Sequence, residues 1–203
     1  MTERHFQDIM NELHVATHVT LPPSVVIFGS ARIKPGNPDY QAAQETARLL
    51  AAHGYGVITG GGPGIMEAAN RGAQESGGTS VGCAIELPFE KGANAYLSIE
   101  LNFKRFFTRK VAMIQLLQPC AFVAFPGGLG TLDELFEVAT LAQTGKISRV
   151  PIVLFGSEFW SGLINWMKTV MYRDRQLIEL EDIDFHIVNT PTDVYNAIVQ
   201  QKS

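Results

Sequence analysis

Pro126-Gly127-Gly128-Leu129-Gly130-Thr131 ends an apolar run and opens a helical pattern, with Asp133 and Glu134 directly behind it. Such a turn leaves bare backbone N–H groups at a helix N-terminus, where an anion such as phosphate collects. A carboxylate so close would repel that anion unless it faces a different part of the ligand, where it can stabilise positive charge or accept a proton. Two other turns are built alike. Gly60-Gly61-Gly62-Pro63-Gly64 and Gly29-Ser30-Ala31 also follow apolar runs, and the three together expose more backbone than packing alone requires. They predict one phosphate or nucleotide site. A second reading of Thr131-x-x-Glu134 stays open: the spacing is that of a capping box, with Thr131 as the N-cap and Glu134 reaching back to its amide.

The stretch 102–117, NFKRFFTRKVAMIQLL, supplies cations. Phe103, Phe106, Phe107, Ile114 and Leu117 form an apolar helical stripe, on which Lys110 falls and which Arg109 borders. Lys110 either snorkels along that stripe or, with Arg109, reaches into a site that holds an anion. Other chemistries lack their residues. His14 and His18 have the i, i+4 spacing of two metal ligands, but no third ligand is evident. No Ser or Cys sits in a nucleophile-elbow pattern. The G-x-G-x-x-G fingerprint of dinucleotide folds is missing from the first strand–helix turn, FGSARIKPG, and the Gly-Lys-Ser/Thr of a P-loop is absent.

The elements that must carry these turns alternate in a regular rhythm. Apolar runs at 24–29, 55–60, 79–85, 96–101, 120–125, 150–155 and 185–189 read as strands, and helical patterns at 38–53, 64–77, 103–117, 131–144, 158–173 and 191–201 lie between most of them. Asn37-Pro38 and Gly54 mark the start and stop of the first of these helices. An amphipathic helix within 1–20, with Phe6, Ile9, Met10 and Leu13 on one face, precedes the first strand and is expected to pack on the domain. The alternation predicts a single doubly wound α/β domain over 1–203, a parallel sheet with helices on both faces, and a ligand site beyond the carboxyl ends of the strands.

Composition narrows the partners. The 203 residues are 46% hydrophobic and 18% charged, an ordinary globular balance, with a net charge of −4 and 16 Lys and Arg scattered without runs. There is no electrostatic footprint for nucleic acid or a membrane surface, so a small molecule is the expected partner. Cys83 and Cys120 lie in strand-like segments and read as reduced core thiols. The charged N-terminal stretch is unlike a signal peptide and no segment reaches spanning length, which predicts a soluble, cytoplasmic protein.

PGGLGTLDE matches the PGGxGTxxE motif, and TRKVAM the RKxxM motif, of the LONELY GUY family of nucleoside 5′-monophosphate phosphoribohydrolases, long labelled lysine decarboxylases. With GGGPGIMEAANRGA and the strand order, the resemblance covers the chain from about residue 20. It implies a Rossmann-like fold, a homo-oligomer (a dimer or a hexamer of dimers), no cofactor or metal, and hydrolysis of the N-glycosidic bond of AMP or a cytokinin riboside 5′-monophosphate. Carried over by motif, Arg109 and Glu134 are catalytic. The substrate-binding set is Lys110 with Pro126, Gly127, Gly128, Leu129, Gly130 and Thr131, joined by Gly29, Ser30, Gly61, Gly62 and Glu67 at the neighbouring turns and by Glu90, which in ELPFEKG resembles a substrate-contacting glutamate that precedes the RKxxM helix. Met66-Glu67 departs from the Met-Gly of plant-type members and bears on base preference. The decarboxylase label has no support in the residues, since no lysine is marked out for a Schiff base except Lys110, which the motif assigns elsewhere. A non-catalytic protein that binds or senses AMP-like ligands through the same turns is the alternative.

Overall fold

Val25, Val26, Ile27 and Phe28 in β1 (Ser24–Phe28) are all buried. They divide between two cores: Val25 and Ile27 belong to one, Val26 and Phe28 to the other, as the two-residue period of a strand requires. A strand apolar on both faces needs cover on both. The computed structural model describes residues 3–86, 92–179 and 185–200. It adds β2 (Gly56–Thr59), β3 (Ser80–Ile85), β4 (Ile99–Phe103), β5 (Ala121–Ala124), β6 (Ile152–Phe155) and β7 (Phe185–Val188). All seven strands form one parallel sheet in the order β4-β3-β2-β1-β5-β6-β7. This is the doubly wound α/β architecture expected from the alternation.

The helices are α1 (Glu3–Thr17), α2 (Pro38–Ala52), α3 (Ile65–Glu75), α4 (Phe106–Val111), α5 (Leu129–Gln143), α6 (Ser157–Trp166) and α7 (Pro191–Gln200); α4 and α6 run on as π-helical segments at Ala112–Leu116 and Met167–Asp174. Tyr40, Leu50, Ile65, Val194 and Ile198 from α2, α3 and α7 fill one core. Ala16, Met113, Leu135, Val138 and Trp160, from the remaining helical segments, fill the other. As its sequence predicts, α2 starts with Asn37 as N-cap, its side chain accepting from the Asp39 amide at 2.8 Å, and Pro38 at the first position. No described helix is long and apolar enough to cross a membrane. The strand order reverses between β1 and β5, and the carboxyl ends of these two strands frame the crevice where such sheets hold ligands.

Three differences from the sequence reading bear on the site and its supports, each with a physical reason. The fourth strand runs to Phe103 because Ile99, Leu101 and Phe103 point inward while Glu100 and Asn102 stay exposed; that two-residue alternation outlasts the expected end at 101. Phe103 is therefore a strand residue. Phe106 and Phe107, which the sequence places on one apolar stripe with Ile114 and Leu117, are 56% and 52% exposed. The stripe changes phase where the helix widens, with the Leu117 amide bonding the Ala112 carbonyl at 3.0 Å, so that Ala112, Met113, Ile114 and Leu117 are the buried set. In α1, Ala16 is buried and Ile9 and Leu13 are half-buried, while Phe6 and Met10 are exposed. The third difference, the start of α5, belongs to the site.

Candidate active site

α5 begins at Leu129 with Gly128 as N-cap and no side-chain cap. The capping-box reading fails on this point, because Thr131 already lies inside the first turn. Its first backbone bond, Leu132 N–H to the Gly128 carbonyl at 3.1 Å, leaves the amides of residues 129–131 ahead of the hydrogen-bond ladder. Glu134 then stands about one turn beyond Gly130 on the same face, about 6 Å along the axis. Gly127 is required here: a Cβ at this position would run into the Thr131 side chain, which is itself 5% exposed. The glycine lets the turn close on the threonine.

Backbone bonds tie the three turns together. The Ser30 amide donates to the Pro126 carbonyl at 3.1 Å, and the Ser30 carbonyl accepts from the Ile65 amide at 3.0 Å, so the turn after β1 links the start of α3 to the turn after β5. Gly64, at φ +72°, sits where a Cβ would collide with the backbone of Ser30 and Ala31. Behind them lies a buried polar network that sequence reasoning missed. Thr59 Oγ1 donates to Asn70 Oδ1 (2.6 Å) and accepts from the Gly61 amide (2.9 Å); Asn70 Nδ2 donates to Ser80 Oγ (2.9 Å); and Asn94 Nδ2 donates to the carbonyls of Gly61 (3.0 Å) and Gly62 (3.1 Å). Each member is an ordinary polar residue in the sequence. Only folding brings them together.

The result is a cavity of about 630 Å³ at the β1–β5 switch point, walled by residues 27–32 after β1, by Gly60 and Met66, by Arg109, and by Gly128 to Thr131 with Glu134. Of the expected site residues, Gly29, Ser30, Gly128, Leu129, Gly130, Thr131, Arg109 and Glu134 meet here. Others stand apart from the lining. Gly61 and Gly62 are held in the polar network, Pro126 and Gly127 shape the turn from behind, and Glu67 accepts a bond from Tyr40 Oη at 2.8 Å. Lys110 pairs with Asp133 (2.9 Å) and with Glu137, pinning α4 to α5. Glu90 lies outside the described residues. Arg32 lines the cavity without having been singled out in the sequence, and Met66, noted there only for base preference, lines it as well.

Arg109 Nη2 lies 3.1 Å from Glu134 Oε1, with both side chains largely buried. The guanidinium also sits over the Phe106 ring, 5.3 Å from its centroid, and its Nε is buried without a hydrogen-bond acceptor among the described residues. Burial pushes the Glu134 carboxyl up to about 7, because the loss of hydration outweighs the pull of Arg109 and Lys110, and Asp133 and Glu137 push the same way as burial. A carboxylic acid poised near neutrality beside a fixed cation can switch between proton acceptor and donor. Elsewhere, burial raises the Cys83 thiol to about 12, as suits a core residue. His18 Nδ1 bonds the His14 carbonyl (2.9 Å), and no group of three or more potential metal ligands occurs among the described residues.

Known proteins share the sequence and fold of this chain. Residues 66–198 match the family model described as possible lysine decarboxylase. The chain is 30% identical over 150 residues to a cytokinin riboside 5′-monophosphate phosphoribohydrolase of Rhodococcoides fascians, covering 72% of this chain and 75% of that one. It is 29% identical over 136 residues to the protein of the same name from Mycobacterium marinum, covering 66% and 72%. Among solved structures, TM1055, a structural-genomics target, aligns with a TM-score of 0.68 at 26% identity over 87% of this chain and 98% of that one. A molybdenum cofactor binding protein from Rippkaea orientalis aligns with a TM-score of 0.65 at 22% identity, over 91% and 99%, a likeness of fold alone. The chain belongs to the family described as possible lysine decarboxylases, in which the LONELY GUY phosphoribohydrolases are grouped.

Proposed function

We propose that the cavity binds a nucleoside 5′-monophosphate, AMP or a cytokinin riboside 5′-monophosphate, and hydrolyses its N-glycosidic bond to the free base and ribose 5-phosphate. The observation that carries this reading is the placing of Glu134: buried in the cavity wall, paired with Arg109, and one helical turn from the unengaged amides of residues 129–131. A phosphate on those amides gains from their dipoles and from the bare glycine backbone. The ribose then extends along the turn that separates Gly130 from Glu134. As the bond from C1′ to the base nitrogen breaks, the ribose acquires oxocarbenium character, which a nearby carboxylate stabilises more in the transition state than in the bound substrate. Water adds to C1′ and gives its proton to Glu134, as carboxylates accept one in glycoside hydrolysis; the base leaves with its electron pair and takes up a proton. Arg109 cannot readily donate one, so its part is to hold Glu134 in place and in its ionised form.

The same arrangement counts against amino-acid decarboxylation. Lys110, the lysine beside the site, is committed to Asp133 and Glu137. Exposed Phe6, Met10, Phe106 and Phe107 support the homo-oligomer implied by the family motifs. The deciding experiment incubates the purified protein with AMP and with its N6-prenylated analogue and separates the products. The proposal requires equal amounts of free base and ribose 5-phosphate, and the ratio of the two rates gives the base preference. Binding without base release would make this a nucleotide-binding or sensing protein.

A further inference from the structure

A cation strengthens a phosphate site built on backbone amides, and the residue expected to supply one by motif, Lys110, is already paired. Its ammonium sits between Asp133 and Glu137, and Arg109 is engaged with Glu134. Another cation lines the cavity. Arg32, just past β1, is exposed and forms part of the wall shared with Gly128, Leu129, Gly130 and Thr131. It has no acidic partner among the described residues.

The backbone under Arg32 is fixed, and its side chain has no hydrogen-bond or ion-pair partner among the described residues. The Arg32 amide donates to Ser30 Oγ at 3.1 Å, and Ser30 is tied by its own amide to the Pro126 carbonyl and by its carbonyl to the Ile65 amide. The turn that presents the guanidinium is thus bonded to the turn that leads into α5. Resting on the nucleotide reading above, we infer that Arg32 is the residue that reads the 5′-phosphate, clamping it against the α5 amides that line the same cavity. The chemistry selects the phosphate over the rest of the ligand. A guanidinium offers five donors and no acceptor, and its planar fork fits two phosphate oxygens, whereas a neutral ribose or base gives it no anion to pair with. Arg32 is then a substrate-binding residue and Lys110 a positioning residue that holds α4 against α5.

The test crosses removal of the arginine with removal of the phosphate. Arg32→Ala and Arg32→Lys are compared with the parent protein for ribose 5-phosphate affinity by calorimetry, and for base release from AMP and from adenosine. Arg32→Ala should weaken ribose 5-phosphate and lower kcat/KM on AMP by about tenfold to a hundredfold, the range of one charge-assisted bond. The loss on adenosine should stay within about twofold, and Arg32→Lys should fall between on AMP because it keeps the charge but not the fork. Equal losses on adenosine and AMP, unchanged kcat/KM on AMP, or a parent protein that does not bind ribose 5-phosphate would each overturn the assignment. If the parent protein releases no base at all, the hydrolase reading fails by itself, and the ribose 5-phosphate affinities still decide the role of Arg32.

Discussion

Arg109→Met removes the guanidinium whose Nη2 lies 3.1 Å from Glu134 Oε1 and keeps much of the side-chain volume in the cavity wall. Glu134 titrates at about 7 with that cation in place, burial being the larger influence and Arg109 the first that opposes it. Opposite charges about 4 Å apart interact by about 4 kcal/mol at an effective dielectric constant of 20, which is about three pH units at 1.36 kcal/mol each. Water entering the vacated space reduces this, so the carboxyl should rise by about one to three pH units. At pH 7 its ionised fraction would drop from near half to between about a tenth and a thousandth. The proposed mechanism needs the carboxylate, so the direction follows: kcat/KM falls steeply at neutral pH and recovers as pH rises toward 10. The assay is the pH profile of kcat/KM for AMP in both proteins, which reports the free enzyme. If the ascending limb of Arg109→Met stays near pH 7 and the whole profile is only scaled down, Arg109 does not set the charge of Glu134.

Glu134→Gln should keep nucleotide affinity and lose about two to four orders of magnitude in turnover; near-parental turnover would remove the carboxylate from the mechanism. The same substitution has a stability signature. The folded state holds the Glu134 proton more tightly than the unfolded chain, with a pKa raised from 4.5 to about 7. The native protein therefore loses stability as pH rises through that window, by about 3 kcal/mol relative to the variant, and the difference is constant above it. Urea unfolding from pH 4.5 to 8 measures this, and parallel pH dependences in the two proteins would refute it. Arg105→Ala removes the ion pair with Glu12 of α1, which also accepts from Thr108. It should cost about 1–3 kcal/mol of stability and speed proteolysis of the N-terminal helix while leaving turnover within about threefold; a turnover loss equal to that of Arg109→Met would mean that the wrong face of α4 has been assigned to the ligand.

The parallel sheet was readable because its central strands are apolar runs buried on both faces and its crossovers have clear helical starts, as Asn37-Pro38 shows. The three turns were readable too, since glycine density after a strand has few other uses. What escaped the sequence was anything decided by partners distant along the chain. Thr59, Asn70, Ser80 and Asn94 have no pattern of their own, yet they hold the second glycine turn. Lys110 carries a motif position, but Asp133 and Glu137 on α5 determine where its charge goes. Nothing in the sequence sets Arg32 apart from the other scattered cations, and only the cavity wall makes it a candidate. The start of α5 was placed two residues late because Thr131 resembles an N-cap, although the glycine-bounded turn already lets the helix begin at Leu129.

The central claim is that a phosphate held at the α5 turn orients a ribose whose glycosidic bond breaks beside Glu134. Base release from AMP and from adenosine under identical conditions tests it most directly. Adenosine lacks every phosphate contact, each worth about 1.5–3 kcal/mol. Binding energy remote from the reacting bond also orients the ribose, so both kcat and KM should suffer. The predicted defect in kcat/KM for adenosine is at least about a hundredfold at tenfold per 1.4 kcal/mol. Comparable kcat/KM on the two substrates would show that the glycine turn is packing and that the cavity is not a phosphoribohydrolase site.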